Sequence, residues 1–264
     1  MTKQQTFDSG APVVTLRGVG KKFAGGVAAI ENLDLDVRPG EFVSLLGPSG
    51  CGKSTALRLI AGLTQPSSGK IDWLQPDGAG GNGPLGIGFV FQEPTLMPWA
   101  TVAANVRLPL KLQGIAEDAQ PRIEAALARV GLSSFAQSYP RELSGGMKMR
   151  ASIARALVTE PRLLLMDEPF AALDEITRFR LNNDLLALWQ ALGKTVIFVT
   201  HSVFESVYLS QRVVVMTSRP GRVFTELSIE APYPRDERFR TSAIYAASCR
   251  RVSDALAQAM GQVP

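Results

Sequence analysis

Residues 42–63 read FVSLLGPSGCGKSTALRLIAGL, and the fold turns on this stretch. Phe42–Leu46 is an unbroken apolar run, the pattern of a strand buried on both faces of a parallel sheet. Lys53–Leu63 switches to helical spacing and ends near Gly62. Between them GPSGCGKST, Gly47 to Thr55, matches G-x-x-x-x-G-K-[ST] in the context that gives the pattern meaning: a strand before it and a helix after. Gly47, Gly50 and Gly52 carry no side chains, so the chain can fold around phosphate oxygens with its N–H groups inward. The helix start adds its positive dipole end. Pro48, Ser49 and Cys51 fill out the loop through their backbone. Lys53 supplies a point charge for the β and γ phosphates. Ser54 offers a hydroxyl to Mg²⁺, which favours hard oxygen ligands, and Thr55 reaches a phosphate oxygen.

Upstream, Val13–Phe23 alternates as a strand, and Ala29–Gly47 reads as two strands around a Pro39-Gly40 turn, with Leu33, Leu35 and Val37 on one face. Residues 1–12 are polar with Gly and Pro, without the apolar core of a secretory signal, and are expected to be disordered. Downstream, Ser67–Gln92 is turn-rich, with strands expected at Lys70–Leu74 and Gly86–Phe91; its Gly-rich middle reads as a hairpin loop. Thr101–Glu160 reads as a helical block, followed by a buried strand at Leu163–Met166 and a long amphipathic helix, EITRFRLNNDLLALWQALG. KTVIFVTH and RVVVMTS are two further buried strands, and Tyr233–Gly261 reads as a charged helical tail. Strands alternating with helices imply α/β architecture, a parallel sheet wrapped by helices, with the helical block inserted between two halves of the sheet.

Three more motifs carry chemistry. LLLMDEP delivers Asp167 and Glu168 at the carboxyl end of a buried strand, where open α/β sheets place ligands. Asp167 would hold Mg²⁺ through water and Glu168 would face the attacking water as general base; a solvated acidic pair is the plainer alternative. LSGGM, Leu143 to Met147, makes a second anion-binding helix start from Ser144, Gly145 and Gly146, or else a simple Ser cap. One phosphate loop suffices for one nucleotide, so a second suggests reach toward a nucleotide held by another copy. His201, the one histidine, follows the apolar strand TVIFVT, where it could hydrogen-bond a γ phosphate and orient water; a structural histidine is the plainer alternative.

The 264 residues allow one large domain, or a core with an inserted subdomain. Lys plus Arg is 28 against 24 Asp plus Glu, a net charge of +4 that is small and scattered, so no polybasic tail and no nucleic-acid partner is expected. Two cysteines, Cys51 and Cys249, give neither a disulfide framework nor a Cys-rich metal site. No run of eighteen apolar residues occurs, so action at a membrane requires docking on a protein that spans it.

In this order the motifs resemble the ATP-binding cassette (ABC) ATPase family over Val13 to Ser218: the phosphate loop, Gln92 after GFVF, LSGGM, the Asp167-Glu168 pair, Ala172-Leu173-Asp174 and His201. The resemblance implies a P-loop NTPase with a RecA-like core, an antiparallel β subdomain and an inserted α-helical subdomain. It divides the chain into an ATPase domain at 13–232, with the helical subdomain about 94–160, and an extension at 233–264. It makes ATP and Mg²⁺ the cofactors. Phe23 is similar to the aromatic that stacks on adenine, and Gln92 to the glutamine that touches Mg²⁺ and water. Ser144 and Gly146 are similar to the pair binding the γ phosphate across a dimer, and Asp174 to the dimer-contact aspartate. Two cassettes would then sandwich two ATP molecules, the Gly47–Thr55 loop of one facing Leu143–Met147 of the other. Met147 stands where Gln is commoner, and Ser202 where Asp is frequent.

Ninety-one positions separate Lys53 from Ser144, which leaves no room for the coiled coils of chromosome-maintenance relatives, and one cassette per chain differs from translation-type relatives. A separate cassette implies an importer ATPase on the cytoplasmic side of the bacterial inner membrane. It would be held there by permease subunits and served by a periplasmic solute-binding protein. Leu96, Met97, Pro98 and Trp99 form an apolar cluster suited to the permease's coupling helix, with ordinary packing the competing reading for Leu96. The wording LMPWATV and the stretch Ser218–Phe239 are similar to the nitrate, sulfonate and taurine importer subfamily. A regulatory or scaffolding ABC protein without a transport partner is the alternative.

Overall fold

The computed structural model describes residues 11–74, 80–81, 86–115 and 117–261. The segment expected to be disordered lies mostly outside them, as does most of the Gly-rich stretch read as a hairpin loop. The strands are β1 (Val14–Lys22), β2 (Ala28–Val37), β3 (Phe42–Leu46), β4 (Ser68–Leu74), β5 (Gly80–Gly81), β6 (Ile87–Val90), β7 (Leu163–Asp167), β8 (Thr195–Thr200), β9 (Arg212–Met216) and β10 (Val223–Ser228). The helices are α1 (Lys53–Ile60), α2 (Val102–Leu112), α3 (Ala119–Arg129), α4 (Gly145–Leu157), α5 (Glu175–Leu192), α6 (Val203–Leu209), α7 (Glu237–Arg240) and α8 (Ala243–Gly261). They fall into two compact units, residues 1–85 with 193–264, and residues 86–192.

In the first unit β1 pairs antiparallel with both β2 and β4, giving the order β2-β1-β4-β5. The period-2 reading of the sequence holds for Leu33, Leu35 and Val37 of β2, which are buried, and for Val14 and Leu16 of β1, where a register shift then carries the buried face on to Val19. A separate parallel set has β3 at its centre, flanked by β8 and β9. All five residues of β3 and all six of β8 are buried, as their mostly apolar sequences imply, and Ser44, Thr195 and Thr200 are buried with them. β10 closes onto β9 antiparallel.

The register places the functional loops. Leu46 of β3 lies beside Thr200 of β8 and Val215 of β9, so the chain leaves all three strands at one carboxyl edge. α1 begins directly after the Gly-rich loop and buries Ala56, Leu57, Leu59 and Ile60. The tail carries two helices, α7 and α8.

In the second unit β6 and β7 run parallel, Val90 beside Met166, and again share a carboxyl edge. The helical block resolves into α2, α3 and α4 around a core of its own. Val102, Val106 and Leu110 of α2 recur at i, i+4 and i+8 and pack with Ile123, Ala126 and Leu127 of α3 and Ala151 and Ala154 of α4. Leu96 packs against this core, which settles its reading as packing, whereas Trp99 beside it is 77% exposed. Among the described residues no helix is long and apolar enough to cross a membrane.

Candidate active site

The first unit builds the phosphate loop around a buried cation. Lys53 is only 4% exposed, and its Nζ donates to the carbonyls of Gly47 (2.9 Å) and Pro48 (3.0 Å), 4.0 Å from Cys51 Sγ. A buried ammonium is tolerated because these dipoles solvate it, and in that low-dielectric setting its charge is available to a polyphosphate. Gly52 precedes α1 at φ 103°, and a Cβ there would lie 2.7 Å from the Ala29 carbonyl, so only glycine opens the helix here. Ser54 and Thr55 occupy the first turn, half-buried. His201 follows Thr200, one step beyond the residue paired with Leu46; it and Gly47 therefore leave the same edge. Phe23 lies in the turn between β1 and β2, exposed, with the Lys21 ammonium 5.6 Å from its ring centre.

The second unit brings together the acidic pair and the glutamine. Asp167 ends β7 and is buried, Glu168 follows half-buried, and Gln92 emerges exposed just past β6 on the same edge. Glu168 takes φ 45°, the left-handed region that costs a non-glycine residue and clusters at functional sites. Ser144 caps α4, its hydroxyl accepting from Met147 N–H at 3.3 Å. Gly146 presses on α5: a Cβ there would meet Thr177 Cγ2 at 2.9 Å. Asp174 accepts from Thr177 N–H at 2.9 Å, and that bond holds its carboxyl below the usual aspartate range. Signature and Asp174 loop thus form one packed surface. Taken unit by unit, the donor chemistry suits Mg²⁺: the Ser54 hydroxyl in the first, and the Asp167 carboxylate and Gln92 amide oxygen in the second, are hard ligands.

Several supporting residues escape motif reading. Thr200 Oγ1 donates to the buried Glu205 carboxylate at 2.6 Å, and Ser202 caps α6 by accepting from Glu205 N–H at 3.3 Å, so the chain on either side of His201 is tied to that helix. Arg155 donates to the Thr95 carbonyl (2.8 Å), the Pro94 carbonyl (2.8 Å) and Thr95 Oγ1 (2.9 Å), fixing the segment after Gln92. Asn105, fully buried, accepts from Met97 N–H at 2.6 Å and donates to the carbonyls of Met97, Ala100 and Thr101. The signal for both was a polar residue at a core-facing helical position.

Residues 30–171 match the ABC transporter family. The chain belongs to that family. Curated relatives include the nitrate import ATP-binding protein NrtD of Synechocystis sp., 49% identical over 81% of this chain and 79% of that protein. Another is the aliphatic sulfonates import ATP-binding protein SsuB 1 of Pseudomonas savastanoi pv. phaseolicola, 45% identical over 83% of this chain and 86% of that protein. Among solved structures, a dimeric ATP-binding cassette, MJ0796, in a post-hydrolysis state bound to ADP and Pi superposes with a TM-score of 0.70. It is 33% identical and covers 83% of this chain and all of that one. This ABC protein is therefore an ATP-binding transport ATPase with the P-loop NTPase fold. The resemblance read from its motifs is borne out.

Proposed function

We propose that the chain drives solute import of the nitrate, sulfonate or taurine kind by coupling ATP binding and hydrolysis to a separate permease. The observation carrying this reading is that each unit presents one glycine-bearing helix start, Gly47–Thr55 before α1 and Ser144–Gly146 opening α4, each read as an anion site. A single nucleotide needs one. Two per chain are accounted for when the pocket is completed by a second copy, and the dimeric ADP- and Pi-bound relative supports that arrangement. The names of the curated relatives support the direction and solute class.

In this reading the loop amides and Lys53 bind the triphosphate of one copy, while Ser144 and Gly146 of the other approach the γ phosphate. Phe23 stacks on adenine. Glu168 accepts a proton from the attacking water and His201 orients it, so catalysis is mainly positioning and electrostatics. Ser54, Gln92 and Asp167 hold Mg²⁺, which when bound neutralises phosphate charge. Asp174 contacts the partner. Pro98 and Trp99 receive a permease helix at the cytoplasmic face of the membrane, and a periplasmic binding protein delivers solute to that permease. The domain limits carried by the resemblance, an ATPase domain at 13–232 and an extension at 233–264, belong to the same proposal.

The test is Glu168→Gln. Nucleotide binding is expected to persist while turnover falls about a hundredfold or more. Normal turnover would remove Glu168 from the base role.

A further inference from the structure

We propose that the loop Ser218–Arg222 is a brace that aims the phosphate loop, with Arg219 and Gly221 as positioning residues for nucleotide binding. β9 runs beside β3, so the chain leaving Met216 passes directly alongside the loop that starts at Gly47. The brace is stiff. The Thr217 hydroxyl donates to the Pro220 carbonyl at 3.1 Å and accepts from Arg222 N–H at 3.0 Å, while Thr217 N–H donates to the Arg222 carbonyl at 3.0 Å. It is also anchored. Gly221 N–H donates to the Ala29 carbonyl at 2.9 Å and its carbonyl accepts from Glu31 N–H at 3.1 Å, adding a parallel rung opposite Ile30.

Against this platform the phosphate loop lies backbone on backbone. A Cβ on Gly221 would overlap the Cys51 carbonyl oxygen. Arg219 Nε donates to the Gly50 carbonyl at 3.3 Å, and a Cβ on Gly50 would stand 3.5 Å from Arg219 Nη2. Peptide planarity turns these contacts into an aiming device, because the C=O of one residue and the N–H of the next point in opposite directions within one rigid plane. Cys51 N–H, which donates to the Pro48 carbonyl at 3.3 Å, is turned away from the brace when the Gly50 carbonyl is held toward Arg219. Seating the Cys51 carbonyl on Gly221 does the same for Gly52 N–H. The loop turn closed by Cys51 N–H on Pro48 and the Gly52 amide of the anion cradle are thereby fixed before any phosphate arrives, and no carbonyl swings in to repel it. This gives a role to the SRPG stretch, which the family motifs do not use.

The proposal rests on the nucleotide-binding role of Gly47–Thr55 and is tested on the full chain by titration with a fluorescent ATP analogue, steady-state ATPase and thermal melts. Arg219 is exposed, so Arg219→Ala should fold and melt like the parent. Its nucleotide affinity is expected to fall about fivefold, with KM for ATP rising in step, kcat within about twofold, and partial recovery in Arg219→Lys. Arg222→Ala removes a side chain of the same loop that pairs with Glu31 at 2.6 Å, and should leave KM unchanged. Gly221→Ala should weaken binding more than Arg219→Ala does. Parent-like binding in Arg219→Ala, an equal loss in Arg222→Ala, or a fall in kcat at constant KM would each overturn the brace. A parent that binds no nucleotide would instead remove the role of the phosphate loop, and the brace with it.

Discussion

Asp174, proposed above to contact a second copy, also works for its own chain. Its carboxylate caps the first turn of α5 through Thr177 N–H, and that bond lowers its pKa. A group with a depressed folded pKa adds stability that is fully present above its unfolded value, about 4 for aspartate, and lost as pH falls through the folded value. The Tm gap between parent and Asp174→Asn is therefore expected to be open at neutral pH and to close in acid. A gap constant down to strongly acidic pH would contradict the cap. Ser144, likewise proposed to meet a second copy, caps the start of α4 in the same way. Such caps could be read from residue type and position, since Ser and Asp lead helices here as they do elsewhere. The left-handed backbone at Glu168 could not, because nothing in DEP announces a positive φ.

Among the elements, those fully buried were legible. β3, β7 and β8 are apolar apart from Ser44, the terminal Asp167 and the end residues Thr195 and Thr200, and their burial follows from that pattern. The elements that escaped were short or half-exposed. α6 has seven residues, too few for a helical period to stand out, and β10 is an edge strand whose residues are half-buried or exposed. What fixes α6 lies far away in sequence. Arg235, 4% exposed, donates from Nη1 to the carbonyls of Val207 (2.9 Å), Tyr208 (3.0 Å) and Ser210 (2.8 Å), satisfying the open end of that helix, and stacks 4.1 Å from the Tyr233 ring centre. Tyr245 Oη donates to the Phe204 carbonyl at the other end, at 3.0 Å. The tail read simply as a charged helix is thus a splint for the helix that follows His201. Arg235→Ala should cost about 3 kcal/mol, roughly 8 °C in Tm, because several buried carbonyls lose their donor at once. A melting curve within a degree or so of the parent would show that water replaces the guanidinium.

At the scale of the whole molecule, two surfaces are proposed to meet partners. Trp99 is 77% exposed on a turn held rigidly by Asn105 and Arg155, a stiff aromatic anchor on a fixed base. Trp99→Ala should weaken co-purification with the permease by about 2 kcal/mol of binding while leaving the ATPase of the isolated chain intact. Undiminished co-purification would move the docking site elsewhere. The other surface is the signature face around Ser144, and on it rests the claim that one copy completes the pocket of the next. Sedimentation of Glu168→Gln with and without ATP, alone and combined with Ser144→Arg, measures this directly. The expected result is an ATP-dependent dimer that Ser144→Arg abolishes while each monomer still binds nucleotide. A chain that stays monomeric with saturating ATP, or a dimer indifferent to arginine at position 144, would contradict the shared pocket.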